Sequence, residues 1–476
     1  MAGEDRRTGN AIEPDASQFF AATQLRTSPC QADKKSKKKP GGQPGHAKHE
    51  RALIPTANCD DVVPLMPTAC RRCGTQLTGR DLQPLRHQVW ELPEIKPFVT
   101  EYQRHRLTCH GFGTATCGQL PRGVTQGQAG LRLIALTALR MGCFKQSKRR
   151  VALLLEQVLN QPCSPGWVVK LQAQATLSLT PAYEELSRQL PAADVLGIDE
   201  SPTKQARTKS WLWVFVADAY TVFALRTTRA AAVLQELLTD AFHGVVNCYR
   251  AKMYGSQGSL PWCWAHLQRD FQALVGHPDQ QVKRLGRDLL RPTKALFRQW
   301  SRCRDGTITC RGFERLMQPI HREIDNLLLR GEFSGNPKLV GMCAPLYEHR
   351  ERLWTFLDVV GVEPTNNASE RALRSAVIWR KLSFSAQSAA GSRFVETIPT
   401  VVETCHRQSR SSFEYVTAAM QAHFAHLPIP SLLARVCERI HAEHSQHDCP
   451  QSLQSGDLNR GTYSSISTLS RTVVRY

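Results

Sequence analysis

The run from Asp194 to Val246 constrains the fold more than any other part of the chain, because its pattern of apolar and polar residues sets an order of elements that few architectures accept. Asp194 to Glu200 (DVLGIDE) reads as a buried strand carrying Asp199 near its end, and Thr203 to Ser210 as a polar turn. Trp211 to Ala217 (WLWVFVA) and Thr221 to Arg226 supply two further strands. Arg229 to Phe242 then places Val233, Leu234, Leu237 and Leu238 at helical spacing, and Gly244-Val245-Val246 opens a fourth strand. Three antiparallel strands, a helix and a further strand beside the first make a mixed α/β sheet.

Bulk properties narrow the partners. With 476 residues and 41% hydrophobic content, the chain is long enough for about three domains with real cores. Lys and Arg number 61 against 41 Asp and Glu, a net charge of +20 that favours a polyanion such as nucleic acid over a membrane surface. No apolar run approaches the roughly 20 residues of a membrane span, and Met1 to Phe20 lacks a signal-peptide core, so a cytoplasmic protein, nucleoid-associated when bound to DNA, is expected. Sixteen cysteines scattered over such a chain are expected to be mostly reduced thiols.

Five segments follow from the composition along the chain. Residues 1–50 form a flexible basic arm, with Lys37, Lys38 and Lys39 among its cations, suited to a sequence-blind grip on phosphates. Residues 59–122 make a zinc-knuckle-like module in which Cys70 and Cys73 form Cys-x-x-Cys before Gly74. Its second half offers Cys109, with Phe112 three residues on where a cysteine would complete the pair, so Cys117 or His110 is left as the fourth zinc ligand. Without metal, the module would be a small strand-rich unit held by Val89, Leu92, Phe98 and Tyr102. Residues 128–190 turn helical: Ser147 to Arg150 precede Val151, Leu154, Leu155 and Val158, a break spans Asn160 to Cys163, and Ser164-Pro165 starts the next helix as N-cap and first residue. Short helices around a tight break, with Arg149 and Arg150 beside them, resemble a helix-turn-helix. The catalytic-looking region covers 191–425, with a basic helical insertion at about 276–356, and 434–476 is a polar tail.

Glu363 to Lys381 (EPTNNASERALRSAVIWRK) opens as a turn and becomes a helix in which Glu370, Arg374, Val377 and Lys381 share one face. One acid among cations suits either a solvated face with ion pairs or a metal-binding carboxylate whose neighbours hold a phosphate chain. The element order around Asp199 tips the balance, since it opens a ribonuclease-H-like fold, where a first-strand carboxylate meets one after the fourth strand and one from a later helix. Asp199 and Glu370 occupy the first and last of those places. Trp262 to His266 (WCWAH) sets Cys263 and His266 three apart, a metal-ligand spacing, but two tryptophans favour a packing plug.

By these residues the chain resembles the transposases of the insertion sequence 66 family, of DDE type. The likeness runs through Lys39 to His46 (KPGGQPGH), Cys70 to Gly74 (CRRCG), Gly197-Ile198-Asp199-Glu200, Cys263-Trp264-Ala265-His266, Asn366 to Arg371 (NNASER) and Gly391 to Glu396 (GSRFVE). It implies an enzyme that cuts and joins DNA at the ends of a mobile element, with two magnesium ions held by three acids: Asp199, Glu370 and an Asp near the end of the fourth strand. It further implies Arg371, Arg374, Arg380 and Lys381 on DNA phosphates, a homo-oligomer on paired element ends and target DNA, and accessory proteins of the same element. Tyr249 stands where the second Asp is expected, and a neutral phenol of pKa near 10 serves a hard dication poorly. Asn247 is a weak substitute, and Asp240 or Asp218 would have to reach in from other elements. Two readings follow, an active transposase with a displaced acid or a chain that folds and binds DNA without cutting it, and the phenol favours the second.

Overall fold

The backbone of the sheet region takes the anticipated order. A computed structural model describes residues 52–248, 252–254, 260–383 and 385–433. The basic arm with Lys37, Lys38 and Lys39, the tail from 434 and Tyr249 lie outside the described residues. The chain divides into two units, Met1–Pro93 and Glu94–Tyr476.

In the first unit the Cys70 N–H donates to the Thr75 carbonyl at 2.8 Å, the Gly74 N–H donates to the Cys70 carbonyl at 2.8 Å, and Gly74 turns the chain at φ +74°. The Cys73 thiol lies 3.3 Å from the Thr75 hydroxyl, whose hydrogen bond is the main cause of its fall to about 7. The second unit repeats this backbone turn between strands β1 (Arg106–Thr108) and β2 (Ala115–Cys117). There Cys109 N–H reaches Thr114 O at 2.9 Å, Gly113 N–H reaches Cys109 O at 2.8 Å, and φ at Gly113 is +65°. Phe112 therefore takes the place held by Cys73 in the first turn, with its ring exposed. Of the set Cys70, Cys73, Cys109 and Cys117, the first two belong to the first unit and the last two to the second. The strand-rich alternative needs correcting: Val89, Leu92, Phe98 and Tyr102 are all exposed, Phe98 at 94%, and the segment's strands are three residues long.

Three helices follow: α1 (Leu131–Gly142), α2 (Lys148–Leu159) and α3 (Pro165–Gln189). Ser147 and Ser164 cap the second and third, accepting from Arg150 N at 3.4 Å and Trp167 N at 3.1 Å, and Asn160 ends α2 in the left-handed region at φ 51°. The third helix runs to Gln189, carried by Leu179, Ala182 and Leu186 on the buried face.

The sheet comprises β3 (Val195–Gln205), β4 (Thr208–Val216), β5 (Thr221–Arg226) and, after α4 (Ala232–Leu238), β6 (Val245–Asn247). Its order is β5-β4-β3-β6, with β6 parallel to β3 and the other pairs antiparallel. Two expectations are corrected. Thr203 to Ser210 is not a turn but the outer part of a hairpin, with Thr203 opposite Ser210 and Gln205 opposite Thr208, and only Ala206-Arg207 between them. The helix within Arg229 to Phe242 is shortened to α4, because Arg229 is held by Glu200 and Thr239 breaks the chain at φ 55°.

A helical layer covers the sheet. α5 (Trp264–Val275), α6 (Gln280–Arg304), α7 (Cys310–Glu332), α8 (Pro337–Glu348) and α9 (Glu351–Asp358) follow the sheet, and α10 (Asn367–Ser383), α11 (Ala389–Arg407) and α12 (Ser412–Phe424) are the last helices among the described residues. α5 to α9 have their own core around Trp264, Phe271, Leu289, Met317 and Leu328, apart from the core that α1, α3, α11 and α12 share with the sheet. α11 also closes an edge of the sheet. The backbone N–H groups of Thr221, Phe223 and Leu225 on β5 donate to Thr404 Oγ1 (3.1 Å), Thr400 Oγ1 (2.9 Å) and Glu396 Oε1 (2.9 Å). Two residues of strand and four of helix advance by similar lengths, so one helical face satisfies successive edge donors that would otherwise be open to pairing. No helix among the described residues is long and apolar enough to cross a membrane.

Candidate active site

Alternation along β3 decides where Asp199 points. Leu196 and Ile198 are fully buried in the main core, so Gly197 and Asp199 face the other side of the strand. The start of α10 rests on that side. A Cβ added to Gly197 would lie 2.4 Å from Ser369 Oγ and 3.1 Å from Asn366 Oδ1, so the close approach of helix to strand requires glycine here.

Asn366, 3% exposed, ties the pieces together. Its Nδ2 donates to the carbonyl of Ile198 at 2.8 Å, its Oδ1 accepts from Ser369 Oγ at 2.7 Å, and its backbone N–H donates to Cys263 Sγ at 3.3 Å. Its own carbonyl accepts from the Glu370 N–H at 3.1 Å. One side chain thus joins the residue before Asp199 to the first turn of the helix that carries Glu370. The loop leading into α10 is pinned from other elements too: Asn247 Nδ2 on β6 donates to the carbonyls of Glu363 (3.1 Å) and Thr365 (3.2 Å), and the Trp264 N–H donates to Pro364 O at 2.8 Å. Asn247 is therefore a structural tie.

The charges around Asp199 are unbalanced. Burial raises its carboxyl to about 7; the N–H of Glu200, donating to Oδ1 at 2.9 Å, works against this, while the carboxylates of Glu200 and Glu370 add to it. Glu200 cannot stand in as a missing acid, since one of its oxygens accepts from Arg229 Nε at 2.7 Å and the other is bonded to the Tyr254 hydroxyl. Asp240 is exposed beyond α4 and bonded to Gln235, and Asp218 is exposed in the β4–β5 turn, where its carbonyl accepts from Arg407.

The sign of the Asp199 shift makes a prediction. An unfolded chain loses this proton near pH 3.8 whereas the folded protein keeps it to about 7, so between those values the native state binds more protons and stability falls as pH rises. The loss should be about 2 kcal/mol, reduced from the full linkage because the carboxyl keeps some contact with solvent. Urea midpoints in metal-free buffer from pH 4.5 to 7.5 check this. Asp199→Asn should flatten the profile, and an unchanged slope in that variant contradicts the assignment.

Glu370 Oε1 is buried and accepts no hydrogen bond among the described residues, although His266 Nε2 and Arg269 Nη2 each lie 3.6 Å away. Ligand atoms of Cys263, His266 and Glu370 all fall within 4.8 Å of one another. The packing plug is present as well: Trp264 is fully buried, its ring centroid lies 5.2 Å from that of Trp354, and its Nε1 donates to Leu353 O at 2.7 Å. The tryptophans form the packing plug, while Cys263 and His266 lie beside Glu370. The three-residue spacing at a helix start was the signal for this.

The proposed phosphate-binding cations are spread over two helices. Arg149 and Arg150 are exposed in the first turn of α2, and Arg371, Arg374 and Lys381 are exposed along α10. Arg380 differs: it is half-buried, its Nη1 donates to Ser201 Oγ at 3.1 Å, and burial lowers its pKa.

Comparison with known proteins places this region in a family. The model of the IS66 family of transposases matches residues 126–393, more than half of the chain, from the helices before the sheet to the start of α11. The uncharacterized protein y4qI of Sinorhizobium fredii (strain NBRC 101917 / NGR234) is similar at 25% identity over 246 residues, which cover 46% of this chain and 45% of that protein. The chain thus spans less than half the length of this relative. With a family match reaching across the strand of Asp199, the Cys263–His266 turn and the helix of Glu370, the chain belongs to the IS66 family of transposases.

Proposed function

We propose that this protein binds the DNA ends of a mobile element through a ribonuclease-H-like transposase domain, in which metal-assisted cleavage and joining is held back by Tyr249 at the place of the second aspartate. The observation that supports the reading is the Asn366 tie, which fastens the first turn of the helix carrying Glu370 to the strand carrying Asp199. The order β5-β4-β3-β6, with only β6 parallel to β3, supports the fold assignment. Two features suit a hard dication: Asp199 is destabilised as an anion by burial and like charge, and Glu370 keeps a buried oxygen with no hydrogen bond. Magnesium, when bound by Asp199 and Glu370, would supply charge neutralisation at the phosphodiester and polarise the attacking hydroxyl.

The remaining residues position DNA. Arg371, Arg374 and Lys381 on α10, Arg149 and Arg150 in the helix-turn-helix-like region, and Lys37, Lys38 and Lys39 of the arm would make charge-assisted bonds to phosphates. Arg380, tied to Ser201, would hold α10 against β3 as well as face the DNA. Two element ends and a target duplex call for more than one protomer, so a homo-oligomer, with accessory proteins of the same element, completes the reading.

The test uses the unaltered protein and a duplex carrying the element end. Binding should weaken by on the order of 10²- to 10³-fold between 50 and 200 mM salt, the loss expected for about five phosphate contacts. Nicks and joined products in magnesium should stay at background. Salt-insensitive binding, or efficient cutting by the unaltered protein, would contradict the proposal.

A further inference from the structure

We propose that Cys263, His266 and Glu370 form a second kind of metal site, one that takes a zinc-class dication through thiolate, imidazole and carboxylate and leaves a fourth position open. The three ligand atoms lie within 4.8 Å of one another. In a tetrahedral zinc site the ligand-to-ligand edges are roughly 3.3 to 3.8 Å, from metal bonds of about 2.0 to 2.3 Å, so the set is within about an ångström of a coordinating arrangement. Closing that distance would take a rotation of the Glu370 carboxylate or the His266 imidazole.

The donor set is selective. Magnesium prefers oxygen ligands in octahedral geometry, whereas a thiolate with an imidazole favours zinc and cobalt. The surroundings are built for a sulfur ligand: Cys263 is 2% exposed, Sγ accepts from the Asn366 N–H at 3.3 Å, and the backbone N–H groups of His266 and Ala265 also favour the thiolate. Burial outweighs these donors and keeps the free thiol protonated, so binding releases one proton to solvent as the S–H bond gives way to a metal–sulfur bond. Glu370 supplies the bare buried oxygen. A consequence rests on the assignment of Glu370 to the magnesium site: a zinc-class ion would occupy the same carboxylate, so the two metals would exclude each other.

Cobalt(II) added alone to the full-length protein tests the site, by absorbance and without reference to DNA cleavage. A Cys70→Ser/Cys73→Ser background removes the separate sulfur pair. In that background one equivalent of cobalt should give a thiolate-to-metal band in the near ultraviolet and visible ligand-field bands, all lost on adding zinc. Cys263→Ser should abolish the near-ultraviolet band, and His266→Asn should weaken cobalt binding at least tenfold while circular dichroism stays native. The second variant decides the matter if the buried serine prevents folding. No thiolate band in the background protein, or a band that survives both His266→Asn and a folded Cys263→Ser, would overturn the proposal. Failure of DNA binding would leave these bands in place, so the two readings fail separately.

Discussion

Tyr249→Asp is expected to raise magnesium-dependent nicking of element-end DNA by about 10³-fold over the unaltered protein, comparable with restoring one preorganised electrostatic group to an active site. A phenol with a pKa near 10 carries no charge at neutral pH, and a hard dication held by two carboxylates lacks the anion that would fix its partner ion. The other candidate acids do not compensate. Glu200 is engaged by Arg229 and Tyr254, and Asp240 is bonded to Gln235. Tyr249→Phe serves as the control, with cleavage at background and DNA affinity unchanged. Gel-resolved nicking of an end-labelled duplex reads the result, and a folded Tyr249→Asp protein that binds DNA yet cuts no better would remove Tyr249 from the second-acid position.

Asn366→Ala should cost about 3 to 5 kcal/mol of stability, because it strands two buried partners at once and leaves a small cavity. The Ile198 carbonyl loses its donor and the Ser369 hydroxyl loses its acceptor, both in the interior. Ser369→Ala strands one buried acceptor, Asn366 Oδ1, where Asn366→Ala strands two partners, so about 1 to 2 kcal/mol is expected there. Urea unfolding of the pair checks the ordering. If Asn366→Ala stays within 1 kcal/mol of the parent, or falls no further than Ser369→Ala, the tie does not hold α10 to the strand.

Where the sequence spoke clearly, one physical signal dominated. Apolar alternation placed Asp199 on β3, and Ser164-Pro165 announced the start of α3 because cap chemistry is local. The misread segments are those where tertiary partners override local character. Thr203 to Ser210 is polar yet extended, since hairpin pairing and the Ser392 Oγ bond to Gln205 Oε1 at 2.8 Å support it from outside the segment. Arg229 leaves the helical pattern to pair with Glu200, a partner 29 residues earlier. The roles of Asn366 and of the oxygen left bare on Glu370 were not legible at all, because both depend on which element lies opposite. Cys263 and His266 lost out to their tryptophan neighbours for a related reason: spacing puts them on one helix face but does not say that Glu370 waits there.

The central claim is that Asp199 and Glu370 converge on one hard cation, and anomalous scattering from manganese-soaked crystals of the protein tests it most directly. A peak is expected within about 2.0 to 2.3 Å of a carboxylate oxygen from each residue, the range of oxygen ligands around such ions. Carboxylates turned away from each other, with manganese bound elsewhere or nowhere, would contradict it.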